Sequence, residues 1–149
     1  MPLVEAPLLE MQLRLALRSE LEEIGRARLA LLQFLAPAKL SDRTIYRVEL
    51  VLEEVLGNIV RYAFTEPSHS AIDLAVTLAA GDVVLRFEDS GKPFDPLGVP
   101  EPSRPADIAT AQAGGWGVSL VRKFADGLDY QRRDGRNRLE VRIAPDPTN

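Results

Sequence analysis

The chain has 149 residues, of which 46% are hydrophobic and 27% charged, with a formal net charge of −4 and no cysteine. This composition is typical of a globular protein, and the length favours one domain with one core. The negative charge argues against direct binding to nucleic acid, and the lack of cysteine excludes disulfides and thiolate metal sites.

The sequence also bears on the compartment in which the protein works. Its first five residues, MPLVE, have neither the basic start nor the long apolar run of a signal peptide. No apolar stretch approaches the length that spans a bilayer. We therefore expect a cytoplasmic protein that does not act at a membrane.

Hydrophobic periodicity predicts a strand and then a helix at the start of the chain. Apolar and polar residues alternate over residues 11–18, a pattern typical of a half-buried strand. Ser19 is placed to cap a helix over about residues 20–35. We expect Leu21 to belong to the apolar stripe of this helix.

A second helix and two further strands are predicted next. The helix begins after its cap Ser41 and ends near residue 64. Alternating patterns over residues 72–78 and 83–88 predict two strands, and Gly81-Asp82 forms the tight turn that joins them.

The sequence changes character after Gly91. Residues 92–113 contain five prolines and no sustained periodicity. Loops of this length are uncommon in compact domains and are usually functional lids or disordered segments. A helix over about residues 117–125 and two alternating strands, at 128–132 and 138–143, complete the chain.

These elements predict an α+β fold. Strands that alternate strictly bury only one face, so the helices should cover one side of a mixed, mostly antiparallel sheet. The other side should be polar. We predict a two-layer α/β sandwich in a single domain over residues 1–149, with its core at about 10–144 and a mobile lid at about 92–113.

Two polar residues stand out on the second predicted helix. At about 100° per residue, Glu54 lies nearly opposite the apolar face, and Asn58 lies on the flank of that face, roughly 40° from Glu54. The ordinary interpretation is a solvated helix face. Gly57, however, costs about 1 kcal/mol relative to alanine in a helix, which suggests that another group approaches closely. The Asn58 oxygen suits Mg²⁺, and the Glu54 carboxylate could accept a proton from an attacking hydroxyl.

Asp89 is the most informative single residue. The strand phase places it on the same face as Leu85 and Phe87, where a carboxylate is costly unless it finds donors. One interpretation is that Asp89 caps a turn with Gly91. The other is that it accepts a hydrogen bond from an exocyclic amine, such as that of adenine, while Gly91 lets the ring approach the backbone.

A glycine cluster precedes the last predicted helix. Gly114, Gly115 and Gly117 flank Trp116 in a turn whose backbone N–H groups could face an anion at a helix N-terminus. The alternative is a lid hinge. The cluster is neither a Walker A loop, since no Gly-Lys-Ser/Thr follows, nor a dinucleotide fingerprint, since no strand precedes it.

In this order, the three segments resemble the boxes of the Bergerat-fold (GHKL) ATPases, and most closely those of the anti-sigma-factor serine/threonine protein kinases. Residues 49–64 are similar to the N-box helix, residues 89–96 to the G1 box and residues 114–126 to the G2 box. Residues 135–139 resemble the closing strand motif. The resemblance covers about residues 10–144.

This resemblance implies roles for individual residues. Glu54 corresponds to the general base, Asn58 to the magnesium ligand and Asp89 to the residue that reads adenine. ATP binding is further implied for Gly91, Phe94, Gly114, Gly115, Gly117 and Asn137. The chain departs from the family at two positions. Tyr62 stands where a histidine is frequent. Asn137 replaces the usual threonine, and its strand phase places it on the core side.

The resemblance implies an ATP- and Mg²⁺-dependent serine/threonine protein kinase. Its substrate would be a STAS-domain anti-sigma antagonist, and it would sequester a sigma factor; a homodimer is a further option. The alternative is a non-catalytic ATP-binding regulatory module that sequesters a protein partner. An ATP-hydrolysing machine would need additional domains. A sensor histidine kinase is disfavoured, because its histidine-bearing helix pair would find no room and the lone His69 lies in a Pro/Ser loop.

Overall fold

A five-stranded antiparallel sheet carries two helices on one of its faces. The computed structural model describes residues 10–64, 71–93 and 120–146. The strands are β1 (Met11–Arg18), β2 (Ala71–Ala79), β3 (Asp82–Asp89), β4 (Gly127–Arg133) and β5 (Arg136–Ile143). The helices are α1 (Glu22–Leu35), which ends in the 3₁₀ turn Ala36–Ala38, and α2 (Asp42–Asn58), which continues as the π-helical turn Ile59–Ala63.

The strand order in the sheet is β1-β2-β3-β5-β4, and each described strand pairs antiparallel with its neighbours. The predicted α+β two-layer sandwich is therefore confirmed. Two hairpins connect neighbouring strands through pairs of residues with positive φ, Ala80–Gly81 and Asp134–Gly135. Such turns match the right-handed twist of the strands they join. The turn predicted at Gly81-Asp82 lies one residue earlier, at Ala80 and Gly81, because Asp82 is already the first residue of β3.

The core lies between the helices and the inner face of the sheet. In β3, buried and partly buried positions alternate along the whole strand, as its sequence predicts. The largest fully buried side chains are Leu17, Leu31, Leu35, Leu52, Leu56, Ile72, Leu74, Leu85, Phe87 and Ile143.

Helix α1 begins later than its sequence suggested. The prediction that Ser19 caps a helix from residue 20 is wrong, because a tight turn separates β1 from α1, and in it Glu20 N donates to Arg18 O at 2.8 Å. The N-cap is Leu21, which has no side-chain acceptor. Leu21 is also 53% exposed and lies outside the apolar stripe. The buried members of that stripe are Ala27, Leu31 and Leu35.

Helix α2 begins as predicted. Ser41 is its N-cap, and the Ser41 hydroxyl accepts a hydrogen bond from Thr44 N at 3.0 Å. The helix buries one face against the sheet and then widens into the π-helical turn Ile59–Ala63, a feature frequent at functional sites. Its buried apolar residues are Val48, Val51, Leu52, Val55, Leu56 and Ala63.

The second face of the sheet is charged, as predicted. Arg136 contacts Asp73 at 2.9 Å, and Arg138 contacts Glu88 at 3.7 Å. Among the described residues, no helix is both long enough and apolar enough to cross a bilayer. Of the helix predicted over residues 117–125, the described part is helical over residues 120–124. Most of the predicted lid lies outside the described residues.

Candidate functional site

A cleft opens between the carboxyl end of α2 and the inner face of the sheet. Its empty volume is about 550 Å³, including the open mouth. Apolar side chains form most of its walls, among them Val55, Ile59, Phe87, Val121 and Leu139. Three buried polar residues interrupt these walls: Asn58, Asp89 and Asn137, which are 7%, 4% and 5% exposed. The structure thus brings together three of the residues that the sequence singled out.

Asn58 is the last residue of α2 before the π-helical turn. It is buried and lines the cleft, yet its side chain forms no hydrogen bond with any residue that the structure describes. Neither polar atom of its side chain is a fully buried atom without a hydrogen-bond partner, so the amide reaches the solvent of the cleft. The Asn58 amide is therefore available to a ligand in the cleft.

Asp89 ends β3 on the core side, as its strand phase predicts. Its Oδ1 accepts two hydrogen bonds, from Gly91 N at 2.8 Å and from Asn137 Nδ2 at 3.0 Å. Its Oδ2 accepts none from the described residues. The two interpretations of Asp89 are therefore compatible, because one oxygen closes the turn to Gly91 and the other remains a free acceptor beside the cleft.

Gly91 packs tightly against the end of the π-helical turn. A Cβ at Gly91 would overlap the carbonyl oxygen of Ala63 and would lie 2.6 Å from its Cβ. Lys92 N also donates to Ala63 O at 2.8 Å, and Arg132 Nη1 donates to Gly91 O at 2.6 Å. The prediction linked Gly91 to the approach of a ring; in the structure, the group that approaches this glycine is Ala63.

Asn137 faces Asp89 directly across the pairing of β3 with β5. Its Nδ2 donates to Asp89 Oδ1 at 3.0 Å and to Lys92 O at 2.8 Å, and Gly91 O lies 3.5 Å away. Its Oδ1 accepts a hydrogen bond from the Tyr130 hydroxyl. Sequence reasoning missed Tyr130, although the alternation in β4 places it on the inner face of the sheet.

Glu54 is half-buried on α2, one turn before Asn58, and it is not among the residues that line the cleft. It forms no hydrogen bond or ion pair with the part of the chain that is described. The close approach suggested at Gly57 comes from the same helix, since a Cβ there would lie 3.0 Å from an Arg61 guanidinium nitrogen. The other predicted ATP-binding residues, Phe94, Gly114, Gly115 and Gly117, lie outside the described residues, as does His69.

A second feature that sequence reasoning missed is an anchor between α2 and the end of the helical segment at residues 120–124. Arg47 on α2 donates from Nη2 to Phe124 O at 2.7 Å and to Asp126 Oδ2 at 2.8 Å. The Ala144 backbone N–H, which donates to Asp126 at 2.7 Å, and then Arg47 hold the pKa of the Asp126 carboxyl below its usual range. Arg47 thus fixes the carboxyl end of the helical segment that carries Val121 into the cleft wall.

The donor set of the cleft fits a magnesium nucleotide. Within the described residues, no group of three or more His, Asp or Glu side chains could hold a metal ion by itself. Mg²⁺ needs only one or two protein oxygens when phosphates and water supply the remaining ligands. The unpartnered Asn58 amide can supply such an oxygen, and an apolar slot bordered by Asp89 Oδ2 suits a flat base that carries an amine.

Comparison with known proteins agrees with this geometry. A family model described as the histidine kinase-like ATPase domain matches residues 17–143. The serine/threonine-protein kinase BtrW of Bordetella bronchiseptica is 38% identical over 101 residues, which cover 68% of this chain and 71% of BtrW.

Solved structures show the same fold. The RsbU and RsbW domains of Rv1364c from Mycobacterium tuberculosis superimpose with a TM-score of 0.66 at 17% identity, over 91% of this chain. The matched region is 32% of that protein's chain, so this chain spans about a third of its length. A chain of the SiaB–SiaC complex from Pseudomonas aeruginosa gives a TM-score of 0.59 at 16% identity. The match covers 88% of this chain and 88% of the matched chain. Together with the family match, these findings confirm the resemblance indicated by the sequence.

Proposed function

Because the chain belongs to the histidine kinase-like ATPase domain family, we propose that its cleft binds ATP with Mg²⁺ and that it acts as a serine/threonine protein kinase of the anti-sigma type. The domain of this family is an ATP-binding domain. The proposal adds three points for this chain: binding of Mg²⁺, transfer of a phosphoryl group to a serine or threonine, and the identity of its protein partners.

One observation carries the proposal. The Asn58 amide and Asp89 Oδ2, polar groups of two buried residues, border an otherwise apolar cleft and have no hydrogen bond to the described residues. In this proposal the base occupies the apolar slot and donates its exocyclic amine to Asp89. Asn58 contributes an oxygen to Mg²⁺, and the phosphates supply further ligands. Each unpartnered group then acquires a partner when the ligand binds.

Glu54 is the general base in this proposal. Phosphoryl transfer depends mainly on positioning and on the neutralisation of developing charge, so few protein groups are needed. Glu54 lies one helical turn before Asn58 and has no described partner, so its carboxylate is free to accept the proton of an attacking hydroxyl. The similarity to BtrW, which is named a serine/threonine-protein kinase, supports this role.

The proposed substrate is a STAS-domain anti-sigma antagonist, and the proposed second partner is a sigma factor held inactive in the cytoplasm. Two neighbours in fold support a protein partner. One is a structure that contains an RsbW domain, and the other is SiaB, which was solved as a complex with SiaC. A homodimer stays a prediction.

A second candidate function is a non-catalytic module that binds ATP and sequesters a protein. One observation favours it: Glu54 is not among the residues that line the cleft. The two candidates make the same prediction for nucleotide binding and opposite predictions for phosphate transfer.

The test uses the purified chain with γ-labelled ATP, Mg²⁺ and the STAS-domain protein encoded nearest to its gene. We expect calorimetric ATP binding that weakens when EDTA replaces Mg²⁺, and label on a serine or threonine of the STAS protein. Binding of ATP and of the STAS protein without transfer would overturn the kinase proposal in favour of the sequestering module. Absence of ATP binding would overturn both.

A further inference from the structure

The Asn137 side chain can adopt only one amide orientation. Its Nδ2 faces Asp89 Oδ1, Lys92 O and Gly91 O, at 3.0, 2.8 and 3.5 Å. These oxygens belong to a carboxylate and to two backbone carbonyls, so none of them carries a proton to donate. The opposite orientation would place the Asn137 oxygen against three acceptors. The amide therefore donates towards Asp89.

This orientation sets the direction of the next hydrogen bond. Asn137 Oδ1 faces the Tyr130 hydroxyl, and an amide oxygen can only accept, so Tyr130 is the donor. The two residues lie on neighbouring strands, with Tyr130 on β4 opposite Leu139 and Asn137 on β5 opposite Arg132. The contact is thus a diagonal one across the inner face of the sheet.

The chain of donors ends on one oxygen of Asp89. Asn137 Nδ2 and Gly91 N both donate to Oδ1, at 3.0 and 2.8 Å. Two donors on the same oxygen fix the rotation of the carboxylate and turn Oδ2 away from them. Tyr130, Asn137 and Asp89 all line the same cleft, so the free oxygen is held at its wall.

We propose that Tyr130 and Asn137 are positioning residues that hold Asp89 with one oxygen committed to the protein and the other presented to the base. The pair thereby sets the preference of the site for a purine that carries an exocyclic amine. The inference rests on the proposed function, because it takes the ligand to be a nucleotide whose base lies against Asp89.

Removal of the Tyr130 hydroxyl tests this role with little change in shape. Without that donor, the Asn137 oxygen has no partner among the described residues, and the side chain is held in place only by its Nδ2 hydrogen bonds. The Asp89 carboxylate then gains freedom to rotate. The consequence should be confined to ligands that use Asp89, because the apolar walls of the cleft are unchanged.

The experiment measures the calorimetric affinity of two nucleotides for the wild type and for Tyr130→Phe. The nucleotides are ATP and purine riboside triphosphate, which lacks the 6-amino group. We expect Tyr130→Phe to weaken ATP binding about three- to tenfold, the usual effect of one hydrogen bond, while the affinity for purine riboside triphosphate stays the same. Asn137→Leu should likewise reduce the preference of the site for ATP over purine riboside triphosphate. Tyr46→Phe is the matched control, since Tyr46 is 59% exposed and makes an edge-to-face contact with Phe124, and neither residue lines the cleft.

The outcomes separate this inference from the proposed function. An equal loss of affinity for both nucleotides would show that Tyr130 only supports the fold and would overturn the inference. Unchanged selectivity in Tyr130→Phe would also overturn it. A wild type that binds no ATP, or binds both nucleotides equally, would overturn the adenine site itself and the inference with it.

Discussion

Asp89 and Asn137 lie directly opposite each other on β3 and β5, and the Asn137 amide donates to Asp89 Oδ1 at 3.0 Å. Each residue is buried, and each lines the cleft. The pairing therefore satisfies the inner oxygen of a buried carboxylate without occupying the outer one. This division between the two oxygens underlies the first prediction.

Asp89→Asn should reverse the polarity of the site without disturbing the fold. Gly91 N and Asn137 Nδ2 both donate, so they will keep the oxygen of the new amide on their side and turn its NH₂ group to the cleft. We expect ATP affinity to fall about ten- to a hundredfold, the range for a hydrogen bond to a charged group. The affinity for inosine triphosphate, whose base carries an acceptor in place of the amine, should fall far less in Asp89→Asn. Isothermal titration with both nucleotides checks this, and equal ATP affinity in wild type and variant would exclude the adenine role of Asp89.

Gly91→Ala should destabilise the protein, because its Cβ would collide with the carbonyl oxygen of Ala63. Overpacking of this kind costs about 1–3 kcal/mol of unfolding free energy, measurable by urea denaturation. Gly25→Ala is the control. Gly25 lies in α1, where an added Cβ meets nothing within 4 Å, so this variant should gain about 0.5–1 kcal/mol. If both variants shifted stability in the same direction, the packing of Gly91 on Ala63 would not be the cause.

The Arg47–Asp126 anchor should make stability depend on pH in acid. The folded pKa of Asp126 is lowered by the Ala144 N–H and by Arg47, so its contribution is fully present above the unfolded pKa of about 4 and is lost as pH falls through the folded pKa. The side chain is 39% exposed, so solvent screening limits the contribution to about 1 kcal/mol.

The measurement compares the unfolding free energies of wild type and Asp126→Asn from pH 7 downwards. The wild type should be the more stable protein at pH 7, and the difference should shrink as the pH falls below about 4. A constant difference across this range would show that ionisation of Asp126 contributes nothing to the anchor.

Much of the site could be predicted because strand geometry is simple. Side chains alternate with a period of two, so Asp89 and Asn137 could both be placed on the buried face from the sequence alone. Helical periodicity likewise placed Glu54 away from the apolar face of α2 and Asn58 on its flank. Local backbone geometry was sufficient for Asp89, Asn137 and Glu54, whereas Asn58 is 7% exposed and belongs to the buried face of α2.

The contacts between distant segments could not be predicted. Asn137 meets Asp89 only because β5 lies beside β3 with this register, and the two residues are 48 positions apart in sequence. The contact between Arg47 and Asp126 spans 79 positions. The prediction for the start of α1 was wrong for a local reason, since the tight turn after Arg18 occupies the residues that Ser19 was expected to cap.

Asn58→Ala should weaken nucleotide binding without destabilising the protein. The buried Asn58 amide has no described hydrogen-bond partner, so its removal costs the ligand-free protein little. We expect ATP affinity in Mg²⁺ to fall to the level that the wild type shows in EDTA, and the unfolding free energy not to fall. Gln33→Ala, which removes an exposed amide from α1, is the control and should change neither quantity. ATP affinity that still depends on Mg²⁺ in Asn58→Ala would contradict the metal role.

The most direct test of the proposed kinase is the single-turnover rate of phosphate transfer from ATP to the STAS-domain protein in Glu54→Gln, measured beside ATP affinity. This change preserves size and helix propensity while it removes the base. We predict near-normal ATP affinity and a rate about 10²–10⁴-fold below that of the wild type. Glu53→Gln is the matched control, because Glu53 is the exposed neighbour that pairs with Arg28 at 3.5 Å, and it should transfer phosphate at the wild-type rate. A Glu54→Gln variant that transfers phosphate as fast as the wild type would contradict the account.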